Sequence, residues 1–337
     1  MTKKALITGI TGMVGSHLAD FLLKNTSWDI IGMTRWRSPL DNIHHLIGKI
    51  NSRDRISLTY GDLTDPLSLE RLASETNFDY VFHLAAQSYP QTSFTSPLDT
   101  FNTNINGTMA LLSSLKTHSP EAFIHVCSSS EVYGRVPKEF VPIDEDCGFH
   151  PASPYAISKV GTDLIGRYFA EAFNMNVMST RMFTHTGPRR GDVFAESTFA
   201  KQIALIEAGY LEPIIRVGNL ESYRTFADVR DAVRAYYMLL TVNPKRGETY
   251  NIGGNYSCTI GEMLNFLISK STIGNIKVEV DPDRLRPIDA DLQVPDSSKF
   301  TNHTGWKPLY TFDETMEDLL NYWRCKVSSH GNSFLQR

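Results

Sequence analysis

The sequence predicts an α/β fold: a doubly wound parallel sheet with a smaller, discontinuous α/β domain. Apolar runs typical of strands alternate with segments of helical periodicity, and these runs lie at 4–8, 28–33, 56–60, 80–83 and 122–127. A glycine-rich stretch, Gly9-Ile-Thr-Gly12-Met-Val-Gly15, joins the first run to the first helix. Strands that are separated by helices pair in parallel through right-handed crossovers, and this pairing gives an open doubly wound sheet.

Helical spacing is clearest in residues 16–24, where Leu18, Phe21 and Leu22 stand at i, i+3 and i+4. The same reasoning predicts further helices over 67–75, 104–115, 195–208 and 228–240. In the helix over 104–115, we expect Met109, Leu111 and Leu112 to be buried.

The periodicity weakens after about residue 181, where Pro and Gly residues and charged loops become frequent. We therefore expect two domains that exchange segments of the chain. The predicted boundaries are 1–183 with 226–257 for the sheet domain, 184–225 with 258–327 for the smaller domain, and 328–337 for a frayed tail.

The composition excludes several classes of protein. The chain has 337 residues, of which 41% are hydrophobic and 21% charged, enough to build a sizeable core. A formal net charge of −4 gives no broad attraction to nucleic acid or to an anionic membrane. There is no apolar run long enough for a membrane span and no signal-peptide h-region. Four scattered cysteines without a CxxC pair indicate reduced thiols in a cytoplasmic protein and no metal site.

The glycine-rich stretch predicts a dinucleotide site of the Rossmann type. Glycines permit a tight turn and close approach of the backbone to a pyrophosphate, whose charge is stabilised at the helix N-terminus. The alternative is an ordinary glycine-rich turn. Where enzymes that use NAD carry an acid, this chain has Thr34 followed by Arg35, which favours NADP over NAD. Asp62 could accept the adenine amino group, or it could be a turn or helix-capping residue.

Tyr155 and Lys159 stand four residues apart, on one face of a predicted helix. A nearby lysine and an oxidised nicotinamide would both lower the pKa of the Tyr155 phenol, making it a useful base. Ser129 and Glu131 follow the upstream strand, at the edge where the active sites of such sheets collect. The serine could bind a sugar O4 and the carboxylate could act as acid or base. Either feature alone occurs by chance in many proteins.

Taken together, these motifs resemble the nucleotide-sugar branch of the extended short-chain dehydrogenases/reductases. The segments that carry the resemblance are TGITGMVG, GDLTD, HLAAQSYPQTSF, SSSEVYG, SPYAISK, GPRRGD and VGNLESYRTFADVRD. Within that branch the chain is most similar to the GDP-mannose 4,6-dehydratases and to their relatives that act on GDP-mannoheptose. The resemblance implies a tightly bound NADP that is regenerated in each cycle, a GDP-sugar substrate and a homodimer or homotetramer.

The resemblance also implies which residues form the site. Catalysis is assigned to Ser129, Glu131, Tyr155 and Lys159. The cofactor residues are Gly9, Thr11, Gly12, Met13, Val14, Gly15, Arg35, Asp62, Leu63, Leu84, Ala85, Ala86, Tyr155, Lys159, His185 and Arg190. The substrate residues are Gln87, Ser88, Ser129, Ser130, Glu131, Thr184, Lys201, Val217, Gly218, Asn219, Arg224 and Arg286.

Other functions are open at this point. The chain departs from the family pattern at two places. It has Ser129 where the family usually has Thr, and Thr184-His185 where the family usually has Asn-His. The segment around Arg224 resembles the GDP-4-keto-6-deoxymannose reductases equally well, and a nucleotide-sugar epimerase or decarboxylase is a further alternative. A binding module that only senses NADP is the alternative outside enzymes, although it would have no use for the full set Glu131, Tyr155 and Lys159. The sequence does not distinguish a hexose substrate from a heptose substrate.

Overall fold

The computed structural model describes residues 2–285, 292–331 and 333. Its strands, in chain order, are β1 Lys4–Thr8, β2 Asp29–Thr34, β3 Ile56–Tyr60, β4 Tyr80–His83, β5 Phe123–Cys127, β6 Asn176–Met182, β7 His185–Thr186, β8 Ile214–Val217, β9 Tyr223–Asp228, β10 Thr249–Ile252, β11 Tyr256–Thr259, β12 Lys277–Val280 and β13 Leu292–Gln293. Its α-helices are α1 Met13–Asn25, α2 Ile47–Ser52, α3 Pro66–Glu75, α4 Pro90–Thr95, α5 Pro97–Phe101, α6 Gly107–His118, α7 Pro154–Phe173, α8 Ala195–Glu207, α9 Val229–Thr241, α10 Ile260–Ser269, α11 Ser298–Thr304 and α12 Phe312–His330.

The large sheet is parallel throughout and has seven strands in the order β10-β6-β5-β4-β1-β2-β3. From β1 the chain winds outward through β2 to β3, and then returns to β4 on the other side of β1. The predicted doubly wound α/β fold is therefore confirmed. In such a sheet the carboxyl ends of the strands on either side of the reversal open a crevice in which ligands bind.

Helices cover both faces of the large sheet. On one face, α1 and α9 bury Leu18, Leu22 and Leu239, and on the other α3, α6 and α7 bury Leu72, Leu111 and Phe169. Met109 is 39% exposed, so its predicted burial is wrong. The buried stripe of α6 runs through positions 108, 111, 112 and 115, and this helical spacing turns position 109 towards solvent.

The smaller part of the molecule has its own sheet and its own core. In this sheet β9 is flanked by β11 on one side and by β13 and β7 on the other, while β8 and β12 form a separate pair. Helices α8, α10 and α12 bury Phe199, Met263 and Leu319 against these strands.

Two of the predicted boundaries differ in the structure. The segment 226–257 does return β10 to the edge of the large sheet, but its ends lie in β9 and β11, which pair with each other in the small sheet. Helix α12 continues to His330, three residues into the predicted tail, because its apolar face remains packed as far as Val327. No helix in the described part of the chain is both long and apolar enough to span a bilayer.

Candidate active site

A cavity of about 600 Å³ opens at the carboxyl edge of the large sheet, where the small sheet faces it. It is lined by parts of the turn after β1, the segments after β4 and β5, the start of α7, the loop after β6 and residues beside β9. The predicted site residues that line it are Gly9, Gly12, Met13, Val14, Gly15, Leu84, Ala86, Ser88, Ser129, Ser130, Glu131, Tyr155, Lys159, Thr184, His185, Arg190, Gly218, Asn219 and Arg224.

The glycine-rich turn between β1 and α1 is shaped by backbone contacts that exclude side chains. Gly9 has φ +72°, and a Cβ added to it would lie 3.0 Å from the Cα of Ala85. A Cβ added to Gly15 would lie 2.3 Å from the carbonyl oxygen of Gly9. Gly12 precedes the first residue of α1, so the helix N-terminus starts at the cavity wall. This arrangement fits a pyrophosphate, whose charge the helix N-terminus would stabilise.

A buried polar network fixes the segment after β4 beneath this turn. The Thr8 hydroxyl oxygen accepts hydrogen bonds from the backbone N–H groups of Leu84 and Ala85, both at 3.0 Å. The same hydroxyl lies 2.9 Å from Nδ1 of His83, whose Nε2 lies 2.9 Å from the hydroxyl of Thr108. Burial and the charge of Lys159 lower the pKa of His83 to about 3, so its ring is neutral. Sequence reasoning missed this network.

The predicted adenosine contacts lie beyond the cavity wall. Arg35 is exposed just after β2, and the Asp62 carboxylate accepts hydrogen bonds from the backbone N–H and hydroxyl of Thr64 at 2.9 and 2.8 Å. Asp62 therefore forms a turn, one of its two predicted alternatives. The predicted cofactor residues outside the cavity lining are Thr11, Arg35, Asp62, Leu63 and Ala85. Asn42 does line the cavity, and its side chain donates to the carbonyl of Thr11 at 3.0 Å.

The predicted catalytic residues are brought together by two local structures. After β5, a short 3₁₀ turn over Ser130–Tyr133 begins with the Ser129 hydroxyl accepting the backbone N–H of Glu131 at 3.2 Å. Helix α7 begins with Ser153 as its cap and Pro154 in its first turn, a combination that starts helices well, so Tyr155 lies at the cavity edge.

Opposing effects act on the pKa of Tyr155. Burial raises it above the usual phenol value, while a hydrogen bond with Ser129 and the charge of Arg190 act in the opposite direction. The side chain of Lys159 is hydrogen-bonded to the backbone near this phenol. Its ammonium donates to the carbonyl of Cys127 at 2.7 Å and lies 6.0 Å from the centre of the Tyr155 ring. Burial lowers the pKa of Lys159 below the usual value for a lysine.

Several cations on the small-sheet side of the site are paired with acids. Arg224 Nη1 lies 3.4 Å from Glu131 Oε1, and Lys201 Nζ lies 3.0 Å from Asp192 Oδ2. Arg190 pairs with Glu196 at 3.0 Å, and its guanidinium lies 3.5 Å from the centre of the Phe194 ring. These contacts orient the cations without removing their charge.

The loop that contains Arg190 and Asp192 also crosses the start of α1. Nε2 of His17 lies 3.0 Å from the carbonyl oxygen of Pro188, and Arg189 pairs with Asp20 at 2.8 Å. Burial and the charge of Arg189 lower the pKa of His17 to about 4. His185, in the same region, also has its pKa lowered to about 4, by burial and by Arg190. Both histidines are neutral at pH 7.

Some predicted substrate residues do not reach the cavity. Gln87 uses its side-chain amide on the backbone of Tyr89, Val217 is fully buried in the core of the smaller part, and Lys201 is not in the lining. Arg286 lies outside the described residues. Lining residues that were not among the predicted site residues include Tyr89, Gln91, Arg189, Phe194 and Ser222. For Arg189 the signal was present in the GPRRGD motif.

Comparison with known proteins gives a consistent result. Residues 6–319 match the family model described as GDP-mannose 4,6 dehydratase. The chain is 31% identical to the GDP-mannose 4,6-dehydratase of Yersinia enterocolitica, over 94% of this chain and 93% of that protein. It is 30% identical to the GDP-6-deoxy-D-mannose reductase of Pseudomonas aeruginosa, over 97% of this chain and 99% of the reductase. The solved structure of RMD from Pseudomonas aeruginosa complexed with NADPH superposes with a TM-score of 0.81 at 28% identity, covering 96% and 100% of the two chains.

Proposed function

The chain belongs to the GDP-mannose 4,6-dehydratase family, and we propose that it removes water from GDP-mannose to give the 4-keto-6-deoxy sugar nucleotide. The observation that carries this proposal is the position of Glu131 in the same cavity as Ser129, Tyr155 and Lys159. A dehydrogenase needs the phenol and the lysine. A dehydratase also needs a group that removes the proton from C5 and helps water leave from C6.

We propose NADP as the cofactor. Its pyrophosphate fits the turn at Gly9, Gly12 and Gly15, where a side chain at Gly9 or Gly15 would meet backbone. Arg35, exposed after β2, supplies a cation for the 2′-phosphate. The RMD structure, which contains NADPH, supports this choice. When bound, NADP would supply the acceptor for the hydride from C4 of the sugar and the donor of that hydride to C6.

The protein residues move the protons in this scheme. Ser129 binds the O4 hydroxyl, and Tyr155 takes its proton as C4 is oxidised, while Lys159 favours the charged phenol when substrate and cofactor are in place. The 4-ketone acidifies the proton on C5. Glu131 removes that proton and gives it to the C6 hydroxyl, which leaves as water. The proton that Tyr155 holds then returns to C5, so the net change is the loss of one water.

We propose that the two parts of the molecule divide the ligands between them. Residues 1–183, with the β10 segment inside 226–257, bind NADP, and residues 184–225 with 258–327 bind the sugar nucleotide. In this proposal Gly218, Asn219 and Arg224 face the sugar nucleotide from the second part, and their position in the cavity lining supports this.

We also propose that the protein is a cytoplasmic homodimer or homotetramer. Its four cysteines are free, as expected in a reducing compartment. On α7, Ile157, Leu164 and Tyr168 form an exposed apolar stripe, and such a stripe is typical of a surface that a second copy covers. Light scattering on the purified protein measures the mass directly. A Leu164→Glu variant should shift it towards the monomer, and a monomeric wild-type protein would exclude this part of the proposal.

A second candidate function is reduction of the 4-keto product. The similarity to the Pseudomonas aeruginosa reductase, over nearly all of both chains, favours it. A reductase would consume one NADPH for each sugar nucleotide and would have no task for Glu131 at C5.

One assay separates these functions. The purified protein is incubated with GDP-mannose, and in parallel with GDP-mannoheptose, without added NADPH. Dehydration gives a 4-keto-6-deoxy product with no net change in cofactor. Oxidation of added NADPH with the 4-keto sugar, together with no turnover of either GDP-sugar, would establish the reductase and exclude our proposal.

A further inference from the structure

Two segments from other parts of the chain contact the glycine-rich turn or the helix that follows it. One is the 3₁₀ segment Asp41–Leu46 after β2, and the other is the loop 187–194 between β7 and α8. Asn42 of the 3₁₀ segment lines the cavity, as do Arg189 and Arg190 of the loop. The cavity around the turn is therefore complete only when both segments are held against α1.

The carboxylate of Asp20, on α1, contacts both segments at once. Its Oδ1 lies 2.7 Å from Nε2 of His45, and its Oδ2 lies 2.8 Å from Nη1 of Arg189. Each oxygen of the carboxylate thus holds a different segment. The Arg189 side chain is only 19% exposed, so its pairing with Asp20 is better shielded from water than an ordinary surface ion pair.

The loop adopts a backbone conformation that needs support. Arg189 has φ +70°, in the left-handed region that residues other than glycine rarely adopt. Such a conformation persists only where the surrounding contacts determine it. Two of these contacts come from α1: the ion pair of Arg189 with Asp20, and Nε2 of His17, which lies 3.0 Å from the carbonyl oxygen of Pro188 and can only donate to it.

The 3₁₀ segment is joined to the turn itself. The side-chain amide of Asn42 donates to the carbonyl of Thr11 at 3.0 Å, three residues before the His45 ring that Asp20 holds. A shift of His45 away from α1 would therefore also move Asn42 at the cavity wall.

We propose that Asp20 is a positioning residue for the cofactor: it ties the loop 187–194 and the segment Asp41–Leu46 to α1, so that bound NADP is enclosed and leaves slowly. The inference rests on the proposed NADP cofactor. Asp20 is not part of the cavity lining, so it acts through Arg189 and His45 rather than by touching the nucleotide. Because the proposed dehydration returns the hydride to the same sugar, a site that releases its cofactor slowly suits this reaction.

Asp20→Asn tests this role, because it keeps the size of the side chain and removes the carboxylate. The probe is NADPH, displaced by excess NADP in a stopped-flow fluorimeter. We expect its dissociation rate to rise about tenfold, or about 1.4 kcal/mol, the scale of one hydrogen bond to a charged group. Asp20→Glu retains a carboxylate and should restore part of the slow release.

The matched control is Asp54→Asn. Asp54 pairs with Lys49 at 3.0 Å, outside the cavity lining, so its loss should leave the dissociation rate of NADPH unchanged. If Asp20→Asn releases NADPH at the wild-type rate, whether or not its Tm falls, Asp20 has only a structural role and the inference is wrong.

Hydrogen exchange in the nucleotide-free protein tests the contacts independently of the cofactor. The backbone N–H groups of Arg190 and Phe194 donate within the loop at 3.2 and 3.3 Å, and that of Ile43 donates to Leu40 at 2.9 Å. In Asp20→Asn these amides should exchange roughly tenfold faster, while those of α12 keep their wild-type rates. Unchanged protection in both segments would overturn the inference. If the wild-type protein binds neither NADP nor NADPH, the proposed cofactor fails, and hydrogen exchange still decides whether Asp20 holds the two segments.

Discussion

The two walls of the cavity are built in different ways. The wall formed by the large sheet at its cofactor end consists of backbone: the turn at Gly9, Gly12 and Gly15, and the segment that Thr8 holds beneath it. The opposite wall relies on charged side chains, each paired with an acid, as with Arg224 and Glu131 or Arg190 and Glu196. A new side chain in the backbone wall would collide with the main chain, so almost no substitution is tolerated there. In the wall of charged pairs, changing single residues can change which sugar is bound.

Gly15→Ala tests the backbone wall and should have the largest effect. The added Cβ would lie 2.3 Å from the Gly9 carbonyl oxygen and 2.7 Å from the Cα of Ile10. We expect NADP to bind about a hundredfold more weakly, which corresponds to roughly 3 kcal/mol of strain. Nicotinamide retained after purification and the Kd for NADP measure the effect. Gly48→Ala is the control, since no atom lies within 4 Å of a Cβ built there. Wild-type retention of NADP by Gly15→Ala would show that the turn is not the cofactor site.

Acid should weaken the large sheet through two buried histidines. Burial lowers the pKa of both His83 and His125 to about 3, so they are neutral in the folded protein, whereas the unfolded chain binds protons below pH 6.5. Stability therefore falls as the pH drops from 6.5 towards 3, by about 2 kcal/mol per histidine at pH 5. Urea unfolding at about pH 7.5 and at about pH 5 measures this loss of stability.

His125→Gln should reduce this pH-dependent loss by about 2 kcal/mol, whatever it does to stability at neutral pH. His150→Gln is the control because His150 is exposed and belongs to neither core. An acid loss that is the same in wild type and His125→Gln would contradict the assignment of this sensitivity to the large sheet.

Arg35→Ser tests the cation predicted for the 2′-phosphate of the cofactor and should have the smallest effect. We expect the Kd for NADP to rise roughly tenfold, about the value of one charge-assisted hydrogen bond, with the Kd for NAD unchanged. Calorimetric titration with each nucleotide measures the two Kd values. Arg246→Ser is the control, as Arg246 is exposed just before β10, at the opposite edge of the large sheet. Equal weakening of NADP and NAD would show that Arg35 does not read the 2′-phosphate.

The strands and the glycine-rich turn of the backbone wall could be predicted from the sequence, whereas the hydrogen bonds of Thr8 could not. Strands 56–60 and 80–83 match to the residue, because alternating apolar runs and glycine-rich turns are determined by neighbours in the chain. The segment around Glu131, Tyr155 and Lys159 was predictable for the same reason, since each lies at a local strand end or helix start. The doubly wound topology follows from the order of these elements.

For the charged wall, the sequence predicted which residues take part but not which residues they contact. Resemblance selected Val217, which is fully buried, and Lys201, whose partner is Asp192. The contact between Arg224 and Glu131 joins residues 93 positions apart in the sequence, and no local pattern specifies such a contact. The hydrogen bond from Lys159 to the Cys127 carbonyl likewise depends on packing rather than on the four-residue spacing from Tyr155.

The most direct test of the proposed dehydration is a single turnover of Glu131→Gln with GDP-mannose. The variant keeps the size of the side chain and loses the carboxylate. We expect C4 oxidation to proceed, so that reduced nicotinamide builds up, while formation of the 4-keto-6-deoxy product falls by roughly a hundredfold or more. Product formation at the wild-type rate would contradict the role of Glu131 on which the proposed function depends.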